Sequence, residues 1–224
     1  MATTAESDFP SGGTGRRVVP GRPGEPGEGP ERVLPPGGAF ADPAPLGLAG
    51  FAMTTFFLSV VNAGLIPASV EAGVFGLAIF YGGGAQFAAG IWEFAKGNTF
   101  GAVAFCSYGA FWLSFWFLAT KADLSAAGSA AGEGVGLYLV AWAIFTGYMM
   151  LASFRVSGAI AGVFVALFIT YILLAIGAFS GVTIWNHAGG WTGIATALIA
   201  WYASFAAVFN FTAKRPVVPV WPRE

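Results

Sequence analysis

Apolar residues in this chain come in long unbroken runs rather than in alternation or in a single helical stripe. Each run approaches or exceeds the 18 residues or so that cross a hydrocarbon core of about 30 Å. The pattern predicts six spans. The first opens at Asp42, which can cap it, and Pro45, which suits its first turn, and it runs to about Ile66, closed by Pro67. The others cover about Val70–Phe94, Phe100–Thr120, Gly134–Ala152, Gly158–Phe179 and Trp191–Thr212. Lys121–Glu133 reads as a small-residue loop and Ser180–Gly190 as a loop or half-embedded turn. Transmembrane β-strands are shorter and strictly alternating, and these runs are neither. The fold class is an all-α polytopic membrane protein with six transmembrane helices per protomer. The sequence shows no clean internal repeat.

Polar punctuation sets the remaining organisation. Residues 1–38 are rich in Pro, Gly, Glu and Arg and cannot bury enough surface to fold alone, so a disordered tail is expected. They lack the apolar core of a secretory signal peptide. The membrane domain is expected over 39–213, with a short tail over 214–224. Arg16, Arg17, Arg22, Arg32, Lys96, Arg155, Lys214, Arg215 and Arg223 all fall on one side of the six spans, and the other side has only Lys121. The positive-inside rule then puts both termini in the cytoplasm, as an even number of spans requires of termini on one side.

Composition agrees with a membrane protein and narrows the chemistry. The 224 residues are 56% hydrophobic and 9% charged, against about 25% charged in soluble proteins. One cysteine, Cys106, and one histidine, His187, leave no spacing for zinc, haem or an iron–sulfur cluster. No Ser–His–Asp set, phosphate loop or metal motif is present, so neither an enzyme nor a cofactor is expected. No feature points to nucleic acid. The spans lack a string of buried charges, which argues against a large charge-driven pump.

The informative residues are the few polar ones inside the runs. Gly83, Gln86, Gly90 and Glu93 recur at spacings of three and four, which makes one face of the second span small and polar. That face fits close helix packing, with Gln86 bonded to a neighbouring helix. It equally fits a pore wall in which Gln86 meets a passing solute. Glu93 lies near the end of its span, where a structural pair with Lys96 is expected. Tyr108, Phe111 and Phe115 share a face of the third span. Tyr108 is either an aromatic core residue with a satisfied hydroxyl or the narrow point of a path. Gly97-Asn98-Thr99 can cap the third span. His187, in the outer loop, is read as a surface or packing residue ahead of a proton shuttle. Asn62, Gln86, Thr99, Ser107 and Phe111 are the candidates for lining a path or touching a solute. A path of amides, hydroxyls and aromatics suits a small polar solute.

These residues also resemble a family. DPAPLGLAGF at 42–51, YGGGAQ at 81–86, WEFAKGNTFG at 92–101 and SYGAFWLSF at 107–115 are similar to motifs of the acetate uptake transporters, the succinate–acetate permease group. Weaker echoes lie at Phe145-Thr146, Leu173–Gly177, His187 and Gly190-Trp191, and the resemblance covers about 42–201. It implies a six-helix protomer in a homo-hexamer in the plasma membrane, of the bacterial inner-membrane type, with a separate path through each protomer. It implies acetate as substrate, with succinate and other short carboxylates. It implies an apolar constriction of Phe51, Tyr108 and Leu167. Family members are described both as proton symporters and as channels, so protons enter as a partner in one description only. The first motif begins with Asp42 where the family usually has Asn, and a carboxylate there repels an anion. Acetate near neutral pH is an anion that an apolar neck disfavours, and Asn62, Gln86 and Thr99 could offset part of that cost. Two other readings stand beside it: a channel for another small solute such as ammonia, and a membrane sensor or scaffold acting through the N-terminal tail.

Overall fold

The computed structural model describes residues 40–222, so the tail expected over 1–38 lies outside the described residues. Among these residues six helices are long and apolar enough to cross a membrane: α1 (Ala44–Asn62), α2 (Ala68–Lys96), α3 (Thr99–Thr120), α4 (Ala131–Ser153), α5 (Gly158–Ser180) and α6 (Thr183–Ala213). Their neighbours form a ring. α2 packs on α3, α1 on α2, α6 between α1 and α5, and α5 on α4, while α3 and α4 meet only thinly. The beginning of α1 and the later part of α6 lie on the same face of the bundle, where the Ser204 hydroxyl donates to the Pro45 carbonyl at 2.7 Å. We call this the terminal face and its opposite the far face.

Several boundaries differ from the pattern in the sequence. α1 stops at Asn62, because Gly64 takes a left-handed conformation (φ +72°) and the chain turns before Pro67. α4 begins at Ala131, after a short 3-10 segment at Ser125–Ala130 that replaces half of the expected loop. The largest correction is at Ser180–Gly190. Gly181 ends α5 at φ +67°, and α6 begins two residues later. Glycines at 189, 190 and 193 depress helix propensity there, but they let α6 lie against α1. A methyl group on Gly190 would run into the Ala63 backbone, and one on Gly193 into the Ser59 side chain.

α2 is not a uniform helix. It opens with 3-10 turns at Ala68–Gly73 and widens into a π turn at Phe80–Ala85. The π turn holds Gly82 and Gly83 against Thr54 of α1 and Trp112 and Leu113 of α3. An extra residue in a turn rotates everything after it by about 100° relative to an unbroken helix. That rotation sets the direction of Gln86.

After α6 the chain reverses at Lys214 (φ 56°) and crosses the terminal face as a strap. The Asn210 side-chain oxygen Oδ1 accepts from the amides of Val217 and Val218, each at 2.8 Å, and its side-chain NH2 donates to the Val218 carbonyl at 2.8 Å. The Gly158 amide, at the start of α5, donates to the Trp221 carbonyl at 2.8 Å. Trp221 stacks on Tyr202 with ring centroids 6.1 Å apart. The strap thereby satisfies amides that a helix start leaves without partners.

Candidate solute path

Two cavities lie end to end inside the ring. The far-face cavity has a volume of about 810 Å³ and includes Asn62, Glu71, Phe111, Tyr138, Tyr171 and His187 in its wall. The inner cavity, toward the terminal face, has about 110 Å³ and is walled by Phe51, Gln86, Asn98, Tyr108, Phe164 and Leu167, among others. α1, α2, α3 and α5 line both. On α3 the walls pass from Tyr108 to Phe111, and on α5 from Leu167 to Tyr171. At 1.5 Å per residue those steps are about 4.5 and 6 Å, roughly one turn of side chains between the cavities.

That turn is apolar and tightly filled. Phe51, Tyr108 and Leu167 are 4%, 3% and 4% exposed. The rings of Phe51 and Tyr108 are tilted with centroids 5.7 Å apart. Phe145 packs edge-on to Tyr108 at 5.3 Å, and Phe164 lies 6.0 Å away. On the far side Phe111 meets Tyr171 edge-on at 5.6 Å. The three residues named by resemblance thus come together around the inner cavity, from α1, α3 and α5.

The Tyr108 hydroxyl is occupied. It shares a 2.9 Å hydrogen bond with the Thr146 hydroxyl of α4, and Thr146 is fully buried. The ring lines the inner cavity while the hydroxyl ties α3 to α4. Gln86 is the opposite case. It is 1% exposed, it lines the inner cavity, and neither its amide nitrogen nor its oxygen has a partner among the described residues. An unpaired buried amide costs a few kcal/mol, so a solute or water in the cavity is its natural complement. The expected bond from Gln86 to a neighbouring helix is not formed, while the glycine packing of the same face is. Gly90 lies against Cys106 of α3, and a methyl group there would come within 2.5 Å of the Cys106 amide.

The remaining candidates divide. Asn62 and Phe111 line the far-face cavity. Thr99 is exposed at the first residue of α3 and lines neither cavity; its neighbour Asn98 does, and also caps α3 by accepting from the Gly101 amide at 3.1 Å. Ser107 is half-buried and lines neither cavity. His187 is not in a loop: it sits in the second turn of α6 and faces the far cavity.

Glu93 departs furthest from its expected role. Lys96 pairs with Asp42 instead, at 2.6 Å, and the Asp42 carboxylate also accepts from the Ala44 amide at 3.1 Å. That pair closes at the surface of the terminal face, clear of both cavities. Glu93 is 0% exposed, and among the described residues neither carboxyl oxygen has a partner at hydrogen-bonding geometry, with the Asn98 side chain beside it. A spacing of three residues on one helix suggested a pair of Glu93 with Lys96, but the partner of Lys96 comes from 54 residues away. Asn98 and Glu93 escaped the list of path residues because each has an ordinary structural reading by position alone.

Comparison with known proteins gives a consistent result. The model of the GPR1/FUN34/yaaH family matches residues 29–222. The chain is 43% identical over 175 residues to Ammonia transport outward protein 2 of Saccharomyces cerevisiae, a match that covers 75% of this chain and 62% of that longer protein. It is 37% identical over 180 residues to the Succinate-acetate/proton symporter SatP of Escherichia coli, covering 80% of this chain and 95% of that one. Among solved structures it is similar to the bacterial acetate channel SatP, with a TM-score of 0.74 and 36% identity over 81% of this chain and 99% of that chain.

Proposed function

The chain belongs to the GPR1/FUN34/yaaH family, and from that premise we propose that it carries acetate and other short carboxylates across the plasma membrane. The observation that carries the reading is the pair of stacked cavities separated by Phe51, Tyr108 and Leu167, with the unpaired amide of Gln86 beside them. Water takes about 30 Å³ in the liquid, so the inner cavity suits a solute of a few heavy atoms. The far cavity is several times larger and selects little. A carboxylate that enters collects its donor from the Gln86 amide and its size limit from the three bulky side chains. The apolar turn strips its water, which charges resist and which makes the neck the costly step.

Purified protein in lipid vesicles tests this. Radiolabelled acetate is expected to enter faster than in empty vesicles, with unlabelled succinate or propionate competing. Absence of protein-dependent acetate flux at any pH sinks the proposal. A second reading, ammonia movement, is favoured by the name of the 43% identical yeast relative. The same vesicles separate the two, because an ammonia path alkalinises the lumen on addition of ammonium and leaves labelled acetate outside.

The proposal places the terminal face in the cytoplasm. Lys96, Arg155, Lys214 and Arg215 lie on that face and Lys121 on the other, as the positive-inside rule requires. A cysteine introduced at Thr3 is expected to resist an impermeant maleimide in intact cells, and labelling there reverses the orientation. The proposal includes a homo-oligomer of six protomers. Its support is the apolar outer surface, including Phe80, Leu137, Ile144 and Leu151, which fits protomers as well as lipid. A monomeric mass in several mild detergents refutes the assembly.

A further inference from the structure

We propose that Glu93 is a proton-binding site, and that proton binding there and carboxylate binding in the inner cavity strengthen each other. The second half rests on the transport reading above; the first does not.

The geometry is unusual for a glutamate. Its carboxyl group is fully enclosed, and among the described residues neither oxygen has a partner at hydrogen-bonding geometry; the side-chain amide of Asn98 is a donor beside it. An ionised carboxylate in that setting is disfavoured, because water is gone and one neutral amide beside it does not replace a hydration shell. The neutral acid has no such cost. Lys96 and Asp42, the charged groups that act on Glu93, are already engaged with each other at 2.6 Å. They offer little net charge to hold an anion. α1, α3 and α5 carry no charged side chain at all, the carboxyl and imidazole groups of α4 and α6, Glu133 and His187, sit at the far face, and the other titratable side chains of those two helices, Tyr138, Tyr148 and Tyr202, are phenols that carry no positive charge. Among the described residues Lys96 is the cation that acts on Glu93, and its charge is shared with Asp42.

The site is also close to the path. Gly101 and Asn98 form part of the inner cavity wall. A methyl group on Gly101 would fall 2.8 Å from the Glu93 carboxyl carbon and 2.6 Å from the Asn98 amide nitrogen. The acid therefore stands directly behind the wall, and only a glycine at 101 leaves it room. A carboxylate in the cavity and an ionised Glu93 would be like charges across a thin partition that includes Gly101 and Asn98. Binding of the solute anion must then favour the protonated acid, and a proton on Glu93 must favour the solute, by the same factor. The proton itself comes from and returns to water at the terminal face, and no covalent bond to carbon changes.

Infrared titration of the intact protein in lipid reads this directly. The carbonyl stretch of a protonated carboxylic acid is expected in acetate-free wild type at about pH 7 and absent from Glu93→Gln. Added acetate is expected to move the midpoint of that band upward by about 1–2 pH units, matching a coupling of roughly 5- to 150-fold. Acetate affinity, measured by calorimetry, should fall by the same factor in wild type as pH passes through the midpoint, and should be flat in Glu93→Gln. Glu93→Gln should unfold at the wild-type temperature, because Gln copies the neutral acid in shape. Glu93→Asp should keep an acid band at an altered frequency. If Glu93→Gln removes no acid band, or fails to fold while Glu93→Asp folds, Glu93 is ionised and the proposal is wrong. If acetate binds but leaves the band where it was, the linkage is wrong. If acetate binds at no pH, the transport reading fails, while the band still decides the proton site.

Discussion

Cutting Tyr108 back to alanine is expected to raise uptake of succinate or lactate relative to acetate by roughly tenfold or more. The estimate follows from the worth of even one methylene in an apolar pocket, about 1–3 kcal/mol, and Tyr108→Ala removes a whole ring from the turn between the cavities. Acetate gains less because it already fits. Phe51→Ala and Leu167→Ala should act in the same direction, since all three side chains meet at the inner cavity. Tyr108→Phe separates size from hydrogen bonding. The ring stays, so the substrate ratio should stay. The Thr146 hydroxyl, fully buried, loses its partner, at a cost to stability of about 1–3 kcal/mol. The measurement is initial uptake of acetate and of a larger acid at matched surface expression. Wild-type ratios in all three alanine variants would move the neck elsewhere.

Gly190→Val should be among the most damaging single changes in the membrane part. Backbone atoms of Asn62 and Ala63 occupy the place its Cβ would take, so no side chain can swing aside. Overpacking commonly costs about 1–3 kcal/mol, and occasionally more, and here α1 and α6 must part. Expected results are poor recovery from mild detergent and a clearly lowered unfolding temperature. Gly134→Ala is the control. That glycine is helical with nothing within 4 Å of a new methyl, so alanine should be neutral or stabilise by about 0.5–1 kcal/mol. Equal melting of the two variants would mean that α1 and α6 are not held as described.

Much of this architecture is legible in the sequence because hydrocarbon imposes one rule on every span. The number of helices, and the position of α3 and α5 to within a residue or so, follow from apolar run length. The start of α6 does not. Asn186, His187, Gly189 and Gly190 look like a loop to any propensity argument, and only the proximity of α1 explains them. The π turn is hidden for a similar reason: three glycines in a row signal close packing but not an extra residue per turn. At the path, Phe51, Tyr108 and Leu167 became visible through family resemblance, since spacing on separate helices says nothing about convergence. Gln86 was visible as a lone amide among glycines. The isolation of Glu93 was not, because it depends on Asp42 reaching Lys96 across a long stretch of chain.

The strap across the terminal face has a consequence for the order in which the molecule is made. Synthesis proceeds from the N-terminus, so residues 217–222 leave the ribosome after every membrane helix. Until then the Gly158 amide and the Asn210 side chain lack the partners that the strap brings them. α5 therefore waits, with an open end, for residues 217–222. A ribosome that stops at the end of α6 releases six complete helices and an unfinished start of α5. Fusion of a reporter to the C-terminus places its load on that final latch.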